Sequence, residues 1–170
     1  MARLGMLKWL WLTGLVLVLD LLTKSVMSHY LVLYEPVAVF PGFNLTLMHN
    51  TGAAFSFLDN ASGWQRWLFA FISIAVSTGI IIWLRRLQPG QRWLAAALAL
   101  ILGGALGNLW DRVTLGYVVD FIQVYYRDWS WPAFNVADSA ISVGAAILVV
   151  DSLRADRRRH AASKTENSDA

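Results

Sequence analysis

The sequence predicts a membrane protein of mainly α class: a four-helix transmembrane bundle with a small external β-sheet at the outer membrane interface. Three observations lead there. Of the 170 residues 57% are hydrophobic and 15% charged, with a mean hydropathy of +0.50, whereas soluble domains run at about 45–50% and about 25%. Four stretches approach the roughly 20 apolar residues that cross a hydrocarbon core of about 30 Å. The basic residues gather on one side of those stretches, as they do in an oriented membrane chain.

Helices are expected at about 4–24, 67–86, 93–111 and 134–153, with external parts at about 27–66 and 112–132. They make one membrane-embedded domain over 1–155, followed by a basic and polar tail over 156–170. The first stretch has Arg3 and Lys8 ahead of it, as a secretory signal would. It is too long for one, contains Asp20 and lacks a small-x-small cleavage site, so it reads as a retained helix.

Arg3, Lys8, Arg85, Arg86, Arg92, Arg154, Arg157, Arg158, Arg159 and Lys164 fall on one side, ten of the fourteen Lys and Arg. Lys24, Arg66, Arg112 and Arg127 fall on the other. Both termini are therefore expected in the cytoplasm. The net charge of +3 is accounted for by topology and anionic lipid, which removes nucleic acid as a partner. From about Thr165 the tail is expected to be disordered.

Outside the membrane, short strands are expected at 30–33, 37–40 and 43–48, punctuated by Pro36, Pro41-Gly42 and Asn50-Thr51-Gly52. A further strand-like run covers 117–125, and Trp129 and Trp131 after it suit the membrane–water interface. There are no cysteines, which excludes disulfides, thiolate metal sites and a cysteine nucleophile. His29, His49 and His160 lack ligand spacing, so neither metal nor other cofactor is expected.

The polar residues of the apolar segments carry the chemistry. Asp120 lies inside the apolar run Val118-Val119-Asp120-Phe121-Ile122, and Asp138 opens the last hydrophobic segment. A carboxylate in such surroundings costs several kcal/mol unless it is paired or protonated. Both fall on the external side, where adjacent carboxylates share a proton and work as acid and base. The plainer alternative is that each caps a helix or pairs with Arg112. Asn135, Asp138 and Ser142 share a helix face by i, i+3, i+7 spacing. Asn108, Asp111 and Arg112 also share one, which favours a polar pocket over a snorkelling arginine. Gly103-Gly104-Ala105 and Gly107 just before them let a neighbouring backbone approach. Asp20 and Lys24, spaced i, i+4, read either as a helix-end ion pair or as part of the site. Asn50-Thr51-Gly52 reads equally as a hairpin turn or a binding element.

These motifs, in this order on four hydrophobic segments, resemble the bacterial lipoprotein signal peptidases (signal peptidase II). The resemblance rests on Asp20-Leu21-Leu22-Thr23-Lys24, Asn50-Thr51-Gly52-Ala53-Ala54-Phe55-Ser56, Gly103 through Arg112, Val119-Asp120-Phe121 and Phe134-Asn135-Val136-Ala137-Asp138. It implies an aspartic endopeptidase of the inner membrane that removes signal peptides from prolipoproteins, cutting just before a diacylglyceryl-modified cysteine, with its site facing the periplasm. By the same resemblance Asp120 and Asp138 are the catalytic dyad. Asn108, Arg112, Asn50, Gly52 and Asn135 hold substrate, or the peptide antibiotic globomycin that mimics it. Asp20, Lys24, Gly104 and Asp111 support the site. A monomer is expected, because four helices supply a complete site. The small, turn-rich segment 50–59 is the candidate element that admits substrate.

Other classes predict other features. A presenilin-like protease places its aspartates deep within helices. A proton-coupled transporter breaks or charges its helices near the midplane, where the second to fourth segments here are apolar. A lipid-binding assembly factor would tolerate Asp120→Asn.

Overall fold

The computed structural model describes residues 5–52 and 63–166. A 3-10 turn, Gly5–Trp9, leads into helix α1, Leu10–Tyr30; strands β1, Pro36–Phe40, and β2, Phe43–Asn50, follow. Then come helices α2, Trp64–Arg86, and α3, Arg92–Thr114, strands β3, Val118–Tyr126, and β4, Trp129–Ser130, and helix α4, Val136–Glu166. Among the described residues, four helices are long and apolar enough to cross a membrane.

Helix α3 is the axis of the bundle, packed against α1, α2 and α4. Its small residues make that possible: Ala95, Ala97, Ala99, Gly103 and Gly104 are all buried. A Cβ at Gly104 would collide with the backbone carbonyl of Ala137, and one at Gly144 would sit 2.7 Å from the carbonyl oxygen of Ala97. The α3–α4 pair is therefore antiparallel and nearly backbone to backbone, the contact that drives helix association where no water remains to be released. Helix α1 runs parallel to α3, and Thr13 Oγ1 donates to Ala99 O at 2.9 Å. Outward, Trp11, Leu22, Phe71, Ile74 and Val149 are exposed, as side chains facing lipid should be. Met6, Ile80, Leu84, Leu87 and Leu98 close one end of the bundle with an apolar cluster.

The sheet covers the other end. Its order is β1-β2-β3-β4, antiparallel throughout, with Met48, His49 and Asn50 opposite Asp120, Val119 and Val118. After β4 the chain turns back along the free edge of β3. There the N–H groups of Phe121 and Ile122 both donate to Phe134 O, at 3.1 and 2.9 Å, and Phe134 N donates to Ile122 O at 3.0 Å. This return buries Val118 to Phe121 on both faces and sets the start of α4 beside β3.

Two expectations change. The strand at 30–33 does not form: Tyr30 ends α1, whose last bond is Leu31 N–H to Met27 O, and Leu33 makes only an isolated bridge to Leu47. The β-branched and aromatic residues there were a strand signal that helix continuation overrode. Helix α4 outlasts its apolar span and continues through the basic stretch to Glu166. Of the segment expected to be disordered, Thr165 and Glu166 thus close the helix, and 167–170 lie outside the described residues.

Candidate active site

Asn135 stands immediately before α4 and makes a reciprocal cap with Asp138. Asn135 Oδ1 accepts from Asp138 N at 2.9 Å, and Asp138 Oδ2 accepts from Asn135 N at 3.3 Å. This is the capping-box arrangement with Asn and Asp in place of Ser and Glu. It satisfies two donors that a helix start would otherwise leave bare. A third, Ala137 N, donates to Asp20 Oδ1 of α1 at 2.9 Å.

The same asparagine reaches the strand. Its Nδ2 donates to Asp120 Oδ1 at 2.7 Å and to Val119 O at 3.2 Å. Asp120 Oδ2 accepts from Asn50 Nδ2 at 3.0 Å, while Asn50 Oδ1 accepts from Gly52 N at 3.1 Å. Asn50 therefore closes a turn and holds the carboxylate at once. On the other side Asn108 Nδ2 donates to Asp138 Oδ1 at 2.7 Å. The two carboxylates thus come to one place from β3 and α4, each held by carboxamides. Burial, and after it the charge of Asp138, pushes the Asp120 carboxyl up to about 7, against the hydrogen bonds from Asn50 and Asn135.

Beneath them lies a buried ion cluster. Lys24 Nζ sits 2.7 Å from Asp20 Oδ2 and 2.9 Å from Asp111 Oδ2, and donates to Asn108 Oδ1 at 3.0 Å. Asp111 Oδ2 also accepts from Val119 N at 3.1 Å. Asp20 and Lys24 are 0% and 3% exposed, so they form no surface ion pair at a helix end. A Cβ at Gly107 would collide with the Asp20 carboxylate; only glycine leaves room for the cluster.

Asp120, Asp138, Asn50, Asn108 and Arg112 line a cavity of about 840 Å³, and Asn135, fully buried, stands behind it. Among the described residues neither aspartate is ion-paired with Arg112. That guanidinium donates to Asn108 O at 3.2 Å and lies 5.2 Å from the Phe69 ring centroid. Gly52 is buried beside Asn50; of the segment 50–59, everything from Ala53 on lies outside the described residues.

Among the wall residues that sequence reasoning passed over are Tyr34, His49 and Ser139. Tyr34 is held in the left-handed region at φ 64°, which no local pattern signals. His49 stacks on Tyr117 at 3.9 Å, and burial pushes its imidazole pKa down; its place next to Asn50 was the clue. The reciprocal cap was legible too, as Asn-x-x-Asp before an apolar run.

Fold and site together define an integral membrane protein with two carboxylates facing one cavity at one end of a helix bundle. A family model described as "Signal peptidase (SPase) II" matches residues 12–154. The lipoprotein signal peptidase of Pseudomonas aeruginosa strain PAO1 is 56% identical over 162 residues, covering 94% of this chain and 96% of that protein. That of Teredinibacter turnerae is 57% identical over 151 residues, covering 88% and 89%. A solved structure of a bacterial membrane enzyme superposes with a TM-score of 0.77 at 28% identity, over 86% of this chain and 88% of the other. The chain belongs to the signal peptidase II family, and is thus a multi-pass membrane protease of lipoprotein maturation.

Proposed function

We propose that Asp120 and Asp138 form an aspartic dyad with which this chain removes the signal peptide from prolipoproteins, cutting just before the diacylglyceryl-modified cysteine. One observation carries the reading: a single residue, Asn135, hydrogen-bonds both carboxylates, and both face one cavity. Asp120, with its pKa lifted to about 7, holds the shared proton. Asp138 takes a proton from water as the water oxygen attacks the scissile carbonyl carbon. Asp120 gives its proton to the carbonyl oxygen. The tetrahedral intermediate then collapses, the C–N bond breaks, the leaving amine takes the proton from Asp138, and the hydroxyl proton returns to Asp120.

Asn50 and Asn135 act on Asp120, and Asn108 on Asp138, so these amides position the dyad; Asn108 and Arg112 also face the cavity and hold the peptide backbone or a globomycin-type peptide. Gly52 fixes Asn50, and Gly104, Asp111, Asp20 and Lys24 hold the helices around the site. Both termini are cytoplasmic and the cavity faces the periplasm, because Arg85, Arg86 and Arg92 cluster at the end opposite Asp120. The lipid on the cysteine keeps the scissile bond at that interface, and the chain acts as a monomer. Irregular backbone is excluded from lipid at membrane depth, so the substrate enters laterally between helices.

The test is cleavage by purified protein in detergent. A diacylated prolipoprotein is expected to be cut just before its cysteine, and its non-lipidated form far more slowly; preference for the latter overturns the substrate. Because the acid must be protonated, kcat/KM should hold up to about pH 7 and fall about tenfold per unit above it. A rate rising through pH 8 would sink Asp120 as the acid.

A further inference from the structure

Nothing in the proposed reaction uses the buried charge of Lys24. Its ammonium is ion-paired with Asp20 Oδ2 and Asp111 Oδ2 and donates a hydrogen bond to Asn108 Oδ1. Two carboxylates thus face its single positive charge. The third contact leads, through one carboxamide, to Asp138. We infer that Lys24 is a positioning residue: by donating to Asn108 Oδ1 it turns that carboxamide so that its NH2 group faces Asp138.

A carboxamide has two orientations of nearly equal shape, related by exchange of O and NH2, and its surroundings select between them. At one end of Asn108 two donors converge, Lys24 Nζ at 3.0 Å and Asn135 Nδ2 at 3.2 Å. At the other end stands Asp138 Oδ1, 2.7 Å from Nδ2. Flipped, the NH2 would meet two donors and the oxygen would meet a carboxylate oxygen, so every contact would be repulsive. Asn135 is the weaker selector, since its NH2 also serves Asp120 Oδ1 and Val119 O. The contact from Lys24 is charge-assisted and about twice as strong as a neutral one. Of the two donors at that end, the cation is the stronger selector. A salt cluster that shares no atom with substrate thereby sets the donor that one member of the dyad receives.

The inference rests on the dyad reading, and the experiment separates the two. Cleavage of a diacylglyceryl prolipoprotein peptide is measured across pH for the full chain, Lys24→Met/Asp20→Asn, Asn108→Ala and all three changes together. The paired substitution removes one charge of each sign, and the new carboxamide still accepts from Ala137 N–H. Its kcat is expected to fall about 10²-fold, with KM within about threefold of wild type. Added to Asn108→Ala, it should cost no more than about threefold further, since the relay is already gone. Losses that multiply would mean that Lys24 acts through something other than Asn108, which overturns the inference. So does a loss that merely tracks the folded fraction. Should the paired variant not fold, Asn108→Asp keeps an acceptor for Lys24 while replacing the NH2 that faces Asp138. It should fold and turn over about 10²-fold more slowly; near-normal turnover removes the inference. A fully active Asp138→Asn would instead remove the dyad reading itself.

Discussion

Asp120→Asn and Asp138→Asn are each expected to lower kcat by about 10²–10⁴-fold, the usual worth of a general acid or base, while leaving the protein folded. The expectation of an intact fold follows from opposing changes. Asp120 Oδ1 and Oδ2 both accept hydrogen bonds, from Asn135 and Asn50. An asparagine there offers one oxygen, so one contact of about 1 kcal/mol is lost. Against that, the substitution removes a group whose ionised form burial disfavours. For Asp138 half of the reciprocal cap survives, because Asn135 Oδ1 still accepts from the backbone N–H of residue 138. If the two carboxylates act as the proposed unit, the double variant should be little slower than either single one. Size-exclusion profiles and melting temperatures establish the fold, and single-turnover cleavage of the lipidated peptide gives the rate. An aspartate whose variant stays within about threefold of wild type is not part of the chemistry.

Gly104→Ala should damage both stability and turnover. The added Cβ meets the carbonyl oxygen of Ala137 and lies 2.7 Å from Ile141 Cγ1. The first obstacle is backbone and cannot rotate away, so the start of α4 must move. Overpacking of this kind costs about 1–3 kcal/mol. Ala137 directly precedes Asp138, so the displacement is handed to the dyad, where a shift near 1 Å costs about 10²-fold in rate. Gly79→Ala is the control: that position in α2 has nothing within 4 Å of the added Cβ, and alanine is the better helix former by about 1 kcal/mol. The control should melt no lower than wild type and cleave normally. Equal behaviour of the two variants would show that the α3–α4 approach does not govern the site.

Much of the fold was legible because lipid imposes a simple rule. A spanning helix must be about 20 residues long and mainly apolar; the stretches expected at about 67–86, 93–111 and 134–153 meet this in composition, and spans are found at 64–86, 92–114 and 136–154. Local signals were less reliable outside the bilayer. Residues 30–33 carry strand-forming side chains, yet Tyr30 belongs to α1 and only Leu33 touches the sheet. Helix α4 shows the opposite error, since its basic end is helical well beyond the last large apolar residue, Leu153.

The sequence by itself determined the membrane class, the expectation of which side the charges lie on, and the suspicion attached to two acids in apolar runs. Each is a property of composition or of neighbours in the chain. Only the tertiary structure decided what each polar residue faces. Lys24 and Asn108 are 84 positions apart, and Asp20 and Ala137 are 117 apart. Their contacts exist because glycines 104 and 107 let α4 and the Asp20 carboxylate close onto α3. For the same reason the spacing of Asp20 and Lys24 left open a helix-end ion pair or a part of the site, and both are buried beneath the two carboxylates. A hydrogen bond depends on direction as well as proximity. Direction was set by the packing of helices on one another, which no local stretch of the chain records.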